Sequence, residues 1–282
     1  NGVMLEYSQE NRNVPERDQL SILLAVALIG ATSLRFVELP TFSWSVRRIL
    51  GSPLGFTFDG NWLLPLLMMG VVGSGTYALV QALPIRDTQE RPVLFSLITP
   101  LLGALFASLL LLRASSWPIW LGTLLVTGLL IGLLVHLTYG VFYLDNASYA
   151  TFRTLLNLAD YLLGFALFGI FLSAQERSLV SAPAVMLLSG LLSLDLLSAS
   201  GASTVNILIY GGLIALIEGE LTWVLSYWPI SPWGAATVLT LGFYIGCGIA
   251  YQHLLNTLNR RMVIEFMTLA IVVLGLILII KP

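Results

Sequence analysis

Long apolar stretches, separated by short polar connections, recur along the whole chain of 282 residues. Each stretch holds about 20 residues, which is the length that an α-helix needs to cross the hydrocarbon core of a membrane. The pattern therefore predicts an all-α protein, a polytopic transmembrane helix bundle with nine spans. The predicted spans are 19–39, 62–82, 93–113, 117–142, 151–173, 182–200, 204–226, 233–255 and 262–280.

The sixth stretch has the weakest signal of the nine. It is short, Asp195 interrupts it, and the polar run SASGAST follows it. Because a charge inside an apolar run lowers its tendency to insert into a membrane, a bundle of eight spans is the alternative.

Polar residues concentrate at the start of the chain and in one long connection. Residues 1–18 are rich in acids and amides and lack the pattern of a signal peptide, so we expect a polar tail there. Residues 41–61 alternate apolar side chains with polar ones. This alternation suits a segment in the membrane interface, and a loop packed over the helix ends explains it equally well. We expect residues 19–282 to form a single transmembrane domain.

Composition supports a membrane protein and excludes other classes. Hydrophobic residues make up 57% of the chain and charged residues 10%, whereas soluble domains carry about 25% charged residues. The basic residues are scattered, without the stripe that a nucleic-acid backbone requires, so we expect no nucleic-acid partner. Since Cys247 is the single cysteine, an intrachain disulfide and a cysteine-based metal site are excluded.

The distribution of basic residues bears on the orientation of the chain in the membrane. With nine spans, seven arginines fall on the side of the N-terminus, and five or six basic residues fall on the other side. Because basic residues accumulate in cytoplasmic connections, the count favours a cytoplasmic N-terminus. The seven are Arg12, Arg17, Arg86, Arg91, Arg153, Arg260 and Arg261.

Ionisable side chains inside the predicted spans are the candidates for a functional site. Each costs at least about 2.5 kcal/mol near the centre of a membrane, so it needs a partner or a water-filled cavity. Antiparallel alternation of the spans places five of them in one half of the bilayer and Glu218 in the other half. The candidate polar site consists of His136, Asp160, Asp195, Glu218, His253 and Glu265.

Three roles are open for this set: hydrogen bonding between helices, an ion or proton pathway, and a site for a ligand or pigment. Asp160 shares a helical face with Arg153 and Asn157 and lies in a predicted hairpin with His136. A lone imidazole such as His136 or His253 suits a haem iron or the magnesium of a chlorophyll, and interhelical hydrogen bonding accounts for it too. The sequence does not identify a cofactor.

Glu218 and Glu220 lie two residues apart in the run LIALIEGELTW. At 100° per residue, their side chains point about 200° apart on one helix, so they do not form a catalytic dyad. We expect Glu218 to face the bundle and Glu220 to reach towards the interface near Tyr227 and Trp228.

Short motifs inside the spans indicate packing and not catalysis. The chain lacks HExxH, GxSxG, a DxxD-type acidic cluster and paired histidines at metal-ligand spacing, so we predict no catalytic residue and no metal site. Glycines let helix backbones approach closely in lipid. Gly128, Gly132, Gly242 and Gly246 are the candidate helix-packing residues.

Three patches of sequence carry a resemblance to known proteins. They are LRFVELP at the end of the first span, LGSPLGFTFDGNWLL entering the second, and RRMVIEF entering the last. Together they resemble an uncharacterised family of polytopic bacterial membrane proteins. The resemblance implies a shared fold and a location in the plasma (inner) membrane, and it brings no catalytic motif.

Two functions follow from these observations. Short connections, small residues in the spans and missing catalytic motifs favour a non-catalytic accessory or scaffold subunit, in contact with lipid and with other membrane subunits or copies of itself. The intramembrane carboxylates favour the alternative, a small-solute or proton-coupled transporter. A scaffold predicts carboxylates paired to neighbouring helices, whereas a transporter predicts a water-accessible cavity that they line.

Overall fold

The computed structural model describes residues 2–37, 42–49, 52–58, 60–82, 93–143, 146–174 and 178–280. These residues form ten α-helices, one two-stranded hairpin and a short 3-10 helix at Gly60–Trp62. In chain order, the elements are α1 Gly2–Arg35, β1 Phe42–Ile49, β2 Ser52–Phe58, α2 Leu63–Gln81, α3 Val93–Ser96, α4 Ile98–Arg113, α5 Trp117–Tyr143, α6 Asn146–Ser173, α7 Ser178–Ser198, α8 Thr204–Ser226, α9 Pro232–Leu254 and α10 Arg260–Ile280.

The predicted class, an all-α polytopic transmembrane bundle, is confirmed. In the described part of the chain, eight helical segments are long and apolar enough to cross a membrane. They agree with the first eight predicted spans, and the sixth is helical despite Asp195. The ninth predicted span coincides with α10, in which several side chains lie outside the described part.

The two polar segments of the sequence have regular backbone structure. The helical backbone of α1 begins at Gly2, so it includes most of the segment that we predicted as a polar tail. In the connection 41–61, β1 and β2 pair in antiparallel fashion, with Phe42 opposite Phe58 and Val46 opposite Leu54. The alternation of apolar and polar residues there is the two-residue period of a strand. Its place relative to a membrane stays a prediction.

Serine, proline and glycine set several helix boundaries. Ser231 caps α9 by accepting a hydrogen bond from the backbone N–H of Gly234 at 3.1 Å, and Pro232 follows it in the first turn, where a missing N–H is tolerated. Ser203 caps α8 in the same way. Between α7 and α8, Gly201 adopts a φ of +68°, a left-handed conformation that glycine enters without strain.

Pro100 divides the third span into two helices. Because proline lacks an N–H, it cannot donate to the carbonyl of Ser96, four residues earlier. Accordingly, α3 ends at Ser96 and α4 begins at Ile98. Thr99 is thereby placed beside a break in the helix, which matters for the site described below.

Contacts along the chain define two compact units. Unit 1 comprises Asn1–Pro84 and Pro100–Leu144. Unit 2 comprises Ile85–Thr99 and Asp145–Pro282. The single transmembrane domain at residues 19–282 stays a prediction.

Unit 1 contains α1, α2, α5 and most of α4. Its α1 packs against α2 and α5. A Cβ at Gly128 or Gly132 of α5 would lie 3.2 or 3.3 Å from a leucine of α1, so these glycines permit the close approach. The buried apolar core of the unit consists of Leu23, Ala27, Ala31, Leu64, Met68, Val72, Leu79, Ala104, Ala107, Leu111, Ala114, Trp120, Ile131, Val135 and Tyr139.

Unit 2 is organised around α6, α7, α8 and α9. The most extensive packing joins α7 to α8 and α6 to α9, and α10 packs against α9. Small residues line the α7–α8 contact: a Cβ at Gly190 would lie 3.2 Å from Cβ of Ala215, and one at Gly219 would lie 3.3 Å from Met186. Helix association in lipid depends on such close backbone approach.

Large apolar side chains are exposed on the outward faces of the helices. Leu125 and Leu129 of α5, Leu162 of α6 and Leu187 of α7 each have more than half of their surface accessible. In water such continuous apolar faces promote association, whereas hydrocarbon solvates them. Together with the eight apolar spans, they define a multi-pass membrane protein.

Gly190→Leu in α7 should lower the thermal stability of the purified protein, because the larger side chain forces α7 away from α8. Overpacking of this kind costs about 1–3 kcal/mol. Gly212→Leu in α8 is the matched control: a Cβ there meets nothing within 4 Å, and the gain in helix propensity is the same. Thermal unfolding in detergent measures the difference. Equal midpoints for the two variants would contradict the tight α7–α8 packing.

Candidate functional site

Four polar side chains meet in the interior of unit 2, and we name them the buried polar cluster. Arg153 and Asp160 belong to α6, Asp195 belongs to α7, and Thr99 is the second residue of α4. Asp160, Asp195 and Thr99 have no exposed surface, and Arg153 is 6% exposed. The polar atoms of the cluster therefore depend on one another for their hydrogen bonds.

Helix α6 supplies the cluster from a single face. Arg153 and Asp160 are seven residues apart, which is about two helical turns, so their side chains point the same way. Leu156, Leu163 and Leu167 occupy the same inward stripe and are buried. The sequence predicted the shared face of Arg153 and Asp160, and the structure places both inside unit 2.

Arg153 ties α6 to the last turn of α7. Its Nη1 donates to Oδ1 of Asp195 at 3.2 Å, and its Nη2 donates to the backbone carbonyl of Asp195 at 2.6 Å. Ser198 Oγ donates to the same carbonyl, also at 2.6 Å. Carbonyls in the last turn of a helix lack intrahelical donors and carry partial negative charge, so the guanidinium satisfies both the carboxylate and the helix end.

Thr99 bridges the two aspartates. Its Oγ1 lies 2.5 Å from Oδ1 of Asp160 and 2.7 Å from Oδ2 of Asp195. Buried threonines such as Thr76 and Thr138 instead donate to the carbonyl four residues earlier in their own helix. Because α4 begins only at Ile98, Thr99 has no such carbonyl within its helix, and its hydroxyl reaches α6 and α7.

Glu218 is buried elsewhere in unit 2. It is 1% exposed, and within the described residues neither of its carboxyl oxygens has a hydrogen-bond partner. A Cβ at Gly242 of α9 would lie 2.9 Å from its Oε1, so the glycine makes room for the carboxyl group. At Gly246 a Cβ would lie 3.5 Å from Ile214, an ordinary packing contact.

The remaining candidates from the sequence are not members of the cluster. His136 is exposed on α5, in unit 1. His253 is exposed, and its ring lies 5.6 Å from that of Tyr210. Glu265 is exposed and accepts from Nε of Arg261 at 3.2 Å. Of the six candidate polar residues, the structure brings together Asp160 and Asp195.

Thr99 was absent from the sequence candidates. A threonine in an apolar span usually bonds its own helix, so the residue type carries no signal. The informative neighbour was Pro100, because a proline inside a span breaks the helix and redirects the hydroxyl before it.

A groove of about 270 Å³ opens on the α7–α8 surface of unit 2. Its walls include Pro183 and Met186 of α7 and Leu216 and Trp223 of α8, and Glu220 lies exposed among them. As the sequence predicted, Glu218 points inward and Glu220 outward. Across the described residues, no group of three or more histidine, cysteine or acidic side chains could hold a metal ion.

Comparison with known proteins defines the family. Residues 41–280 match a family described as "Protein of unknown function (DUF5656)". The match covers most of the chain, so this multi-pass membrane protein belongs to that family, and the predicted membership of an uncharacterised family is confirmed. Two of the three resembling patches lie within the matched range. No curated protein and no solved structure matches the chain.

Arg153→Met should lower the free energy of unfolding by about 3–5 kcal/mol, because it removes the counter-ion and a hydrogen-bond donor from the buried carboxyl group of Asp195. Arg261→Met is the control, since it breaks an exposed ion pair worth about 0.3–0.5 kcal/mol. Unfolding in mixed detergent measures both. The double variant Arg153→Met/Asp195→Leu should recover much of the loss, and a loss equal to that of the single variant would contradict the pairing.

Proposed function

We propose that the protein is a non-catalytic subunit of a larger membrane assembly, and that the α7–α8 groove receives a helix of another subunit. The observation that carries the proposal is Glu220, an exposed carboxylate on an outward face of α8 that is otherwise apolar. Leu213, Leu216, Ile217 and Val224 are the exposed apolar residues around it.

The position of Glu220 makes contact with lipid unfavourable. It lies six residues before the end of α8, which is about 9 Å along the helix axis. An ionised carboxylate within the hydrocarbon costs at least about 2.5 kcal/mol, and its short side chain reaches less far than lysine or arginine. A basic residue on a partner helix would neutralise it, and the apolar groove walls would pack against that helix.

The charge pattern favours a different subunit over a second copy of this chain. In the eight described spans, Arg153 is buried and paired with Asp195, while Arg35 and Arg113 lie at the ends of their helices. Within these eight described spans, a second copy would therefore bring no lysine or arginine from the interior of a helix to Glu220. A partner with a lysine or arginine inside a span fits the groove.

The buried polar cluster supports the same role. Asp195 is paired with the neighbouring helix α6, and Asp160 is joined to α4 by Thr99. Asp160, Asp195 and Thr99 have no surface accessible to solvent. This is the arrangement that a scaffold predicts, in which intramembrane carboxylates hold helices together.

We further propose that the protein lies in the plasma (inner) membrane of a bacterium with a cytoplasmic N-terminus. The family resemblance supports a location in the bacterial plasma membrane, and the excess of basic residues supports a cytoplasmic N-terminus. Arg153 belonged to that excess, but it is buried in an ion pair and no longer acts as a charge in a connection. Without Arg153, six arginines on the N-terminal side stand against five or six basic residues on the other side, so the excess that supports the orientation falls to one residue at most.

Glu220→Gln should reduce the fraction of the protein that migrates in a large complex after gentle extraction from its native membrane. Glu265→Gln is the control, because it removes an exposed carboxylate that is already paired within α10. Native mass, measured for both variants and the wild type, gives the fraction of each protein that is in the complex. A wild-type protein that runs alone would refute the assembly, and one that runs as a dimer would identify a second copy as the occupant.

Photo-crosslinking locates the contact. A benzoylphenylalanine at Leu216, inside the groove, should give an adduct with one polypeptide in native membranes. The same probe at Leu162, on the exposed face of α6, should give lipid adducts. Equal protein adducts at both positions would contradict a specific groove contact.

Glu218 favours a second function, proton-coupled transport of a small solute. Its buried carboxyl group bonds to no other helix in the described part of the chain, so packing alone does not account for it. If the protein moves protons, Glu218→Gln should abolish pH-gradient dissipation in proteoliposomes that carry a lumenal pH dye. Glu220→Gln is the control with the same chemical change at a surface site, and equal rates for both variants would exclude this role of Glu218.

A further inference from the structure

We propose that the buried polar cluster is a proton-binding site, in which Asp160 and Asp195 share one exchangeable proton through the hydroxyl of Thr99. The ligand is a proton, and the site lies in the interior of unit 2. The inference does not rest on the assembly proposed above, because that proposal is carried by Glu220 in the surface groove, whereas this one concerns the protonation of the buried groups.

The hydrogen bonds of Thr99 favour this proton, because a hydroxyl between two ionised carboxylates would have to divide its single hydrogen between them. A threonine hydroxyl has one hydrogen to donate and can also accept. Its Oγ1 lies within hydrogen-bond distance of both carboxyl groups, at 2.5 Å and 2.7 Å, so it donates to one and accepts from the other. An ionised carboxylate has no hydrogen to give, and therefore one of the two aspartates is a carboxylic acid.

The net charge of the cluster also indicates one proton. Arg153 carries one positive charge, because a guanidinium is not deprotonated in proteins. Two ionised aspartates would leave the cluster with a net charge of −1 in an interior closed to solvent, and such an uncompensated charge costs several kcal/mol. One proton on the aspartate pair brings the net charge of the cluster to zero.

Asp160 holds the proton in the observed arrangement. The guanidinium donates to the carboxylate of Asp195 at 3.2 Å, which stabilises its ionised form. The carboxyl group of Asp160 has Thr99 and the carboxyl group of Asp195 as side-chain hydrogen-bonding neighbours, and Oδ2 of Asp160 has no partner among the described residues. The hydrogen on Oδ1 of Asp160 is therefore donated to Thr99, and Thr99 donates its own hydrogen to Oδ2 of Asp195.

The same chain of bonds gives a route for exchange. The Oδ1–H bond of Asp160 breaks as a new O–H bond forms on Thr99, while the original hydrogen of Thr99 passes to Oδ2 of Asp195. The net change transfers one proton from Asp160 to Asp195, and it needs no further reactant. The hydroxyl is regenerated at the end of the step.

Other titratable groups act on the site from the surrounding helices. Tyr161 of α6 and Cys247 of α9 are titratable neighbours of Asp160, and Tyr149 of α6 is a titratable neighbour of Arg153. On α8, Glu218 is a titratable neighbour of Cys247. The sequence of α3, VLFS, contains no titratable side chain. Arg153 is the cationic group in the cluster, so it sets the number of protons.

Infrared spectroscopy of the whole protein in lipid nanodiscs tests the proposal. Carboxyl-¹³C aspartate labelling separates aspartate bands from those of glutamate, and a protonated acid absorbs apart from a carboxylate. At neutral pH we expect one protonated aspartate per chain, with a band that shifts in D₂O. Asp18, Asp59, Asp87 and Asp145 lie at or beyond the predicted span ends and should be ionised. A wild-type spectrum without this band would overturn the proposal.

Variants of the cluster should change the number of protonated aspartates per chain by one. Asp160→Asn and Asp195→Asn should each leave no protonated aspartate, because the remaining carboxylate balances Arg153. Arg153→Met should give two. Asp195→Asn and Arg153→Met are the decisive variants, because Asp160→Asn removes the proton together with the residue that holds it. If the proton belonged to Asp160 alone, each of these two variants would keep one protonated aspartate, and that result would refute the shared proton. The control Glu218→Gln should keep the wild-type count of one, and the wild-type measurement stands even where a variant fails to fold.

Discussion

A guanidinium enclosed by apolar helices has to be neutralised where it lies, and the interior of unit 2 is arranged around this requirement. Arg153 satisfies it with the carboxylate and the backbone carbonyl of Asp195, so one side chain fixes both the rotation of α6 and the last turn of α7. The rotation of α6 in turn points Asp160 at Thr99. Removing any one charge leaves another without compensation, which makes the cluster a single energetic unit.

The protein handles its intramembrane carboxylates in three physically different ways. Asp160 and Asp195 are joined to a cation and a hydroxyl, Glu218 occupies a space opened by Gly242, and Glu220 faces outward in a groove. The first way binds helices together, although Oδ2 of Asp160 has no hydrogen-bond partner among the described residues. Both carboxyl oxygens of Glu218 lack a partner there, which favours the transport proposal. The exposed carboxylate of Glu220 is open to a partner helix, which favours the assembly proposal.

Apolar length predicted the spans well, because a helix in hydrocarbon must satisfy its own backbone and needs a fixed length to cross. The shared face of Arg153 and Asp160 followed from helical periodicity, as did the opposite directions of Glu218 and Glu220. Thr99 could not be found this way, because its contacts depend on a helix break and on two helices distant in sequence. The hairpin at 42–58 was missed because a two-residue period suits both a strand and an interfacial segment.

The space at Gly242 has a consequence for the evolution of this family. A methyl group at that position would press on the carboxyl group of Glu218 from the neighbouring helix. A lineage that enlarges residue 242 has to move the carboxyl end of Glu218 out of this space or shorten the side chain at 218, so the glycine sets where the acid lies. The two positions should covary among homologues, although 24 residues separate them along the chain.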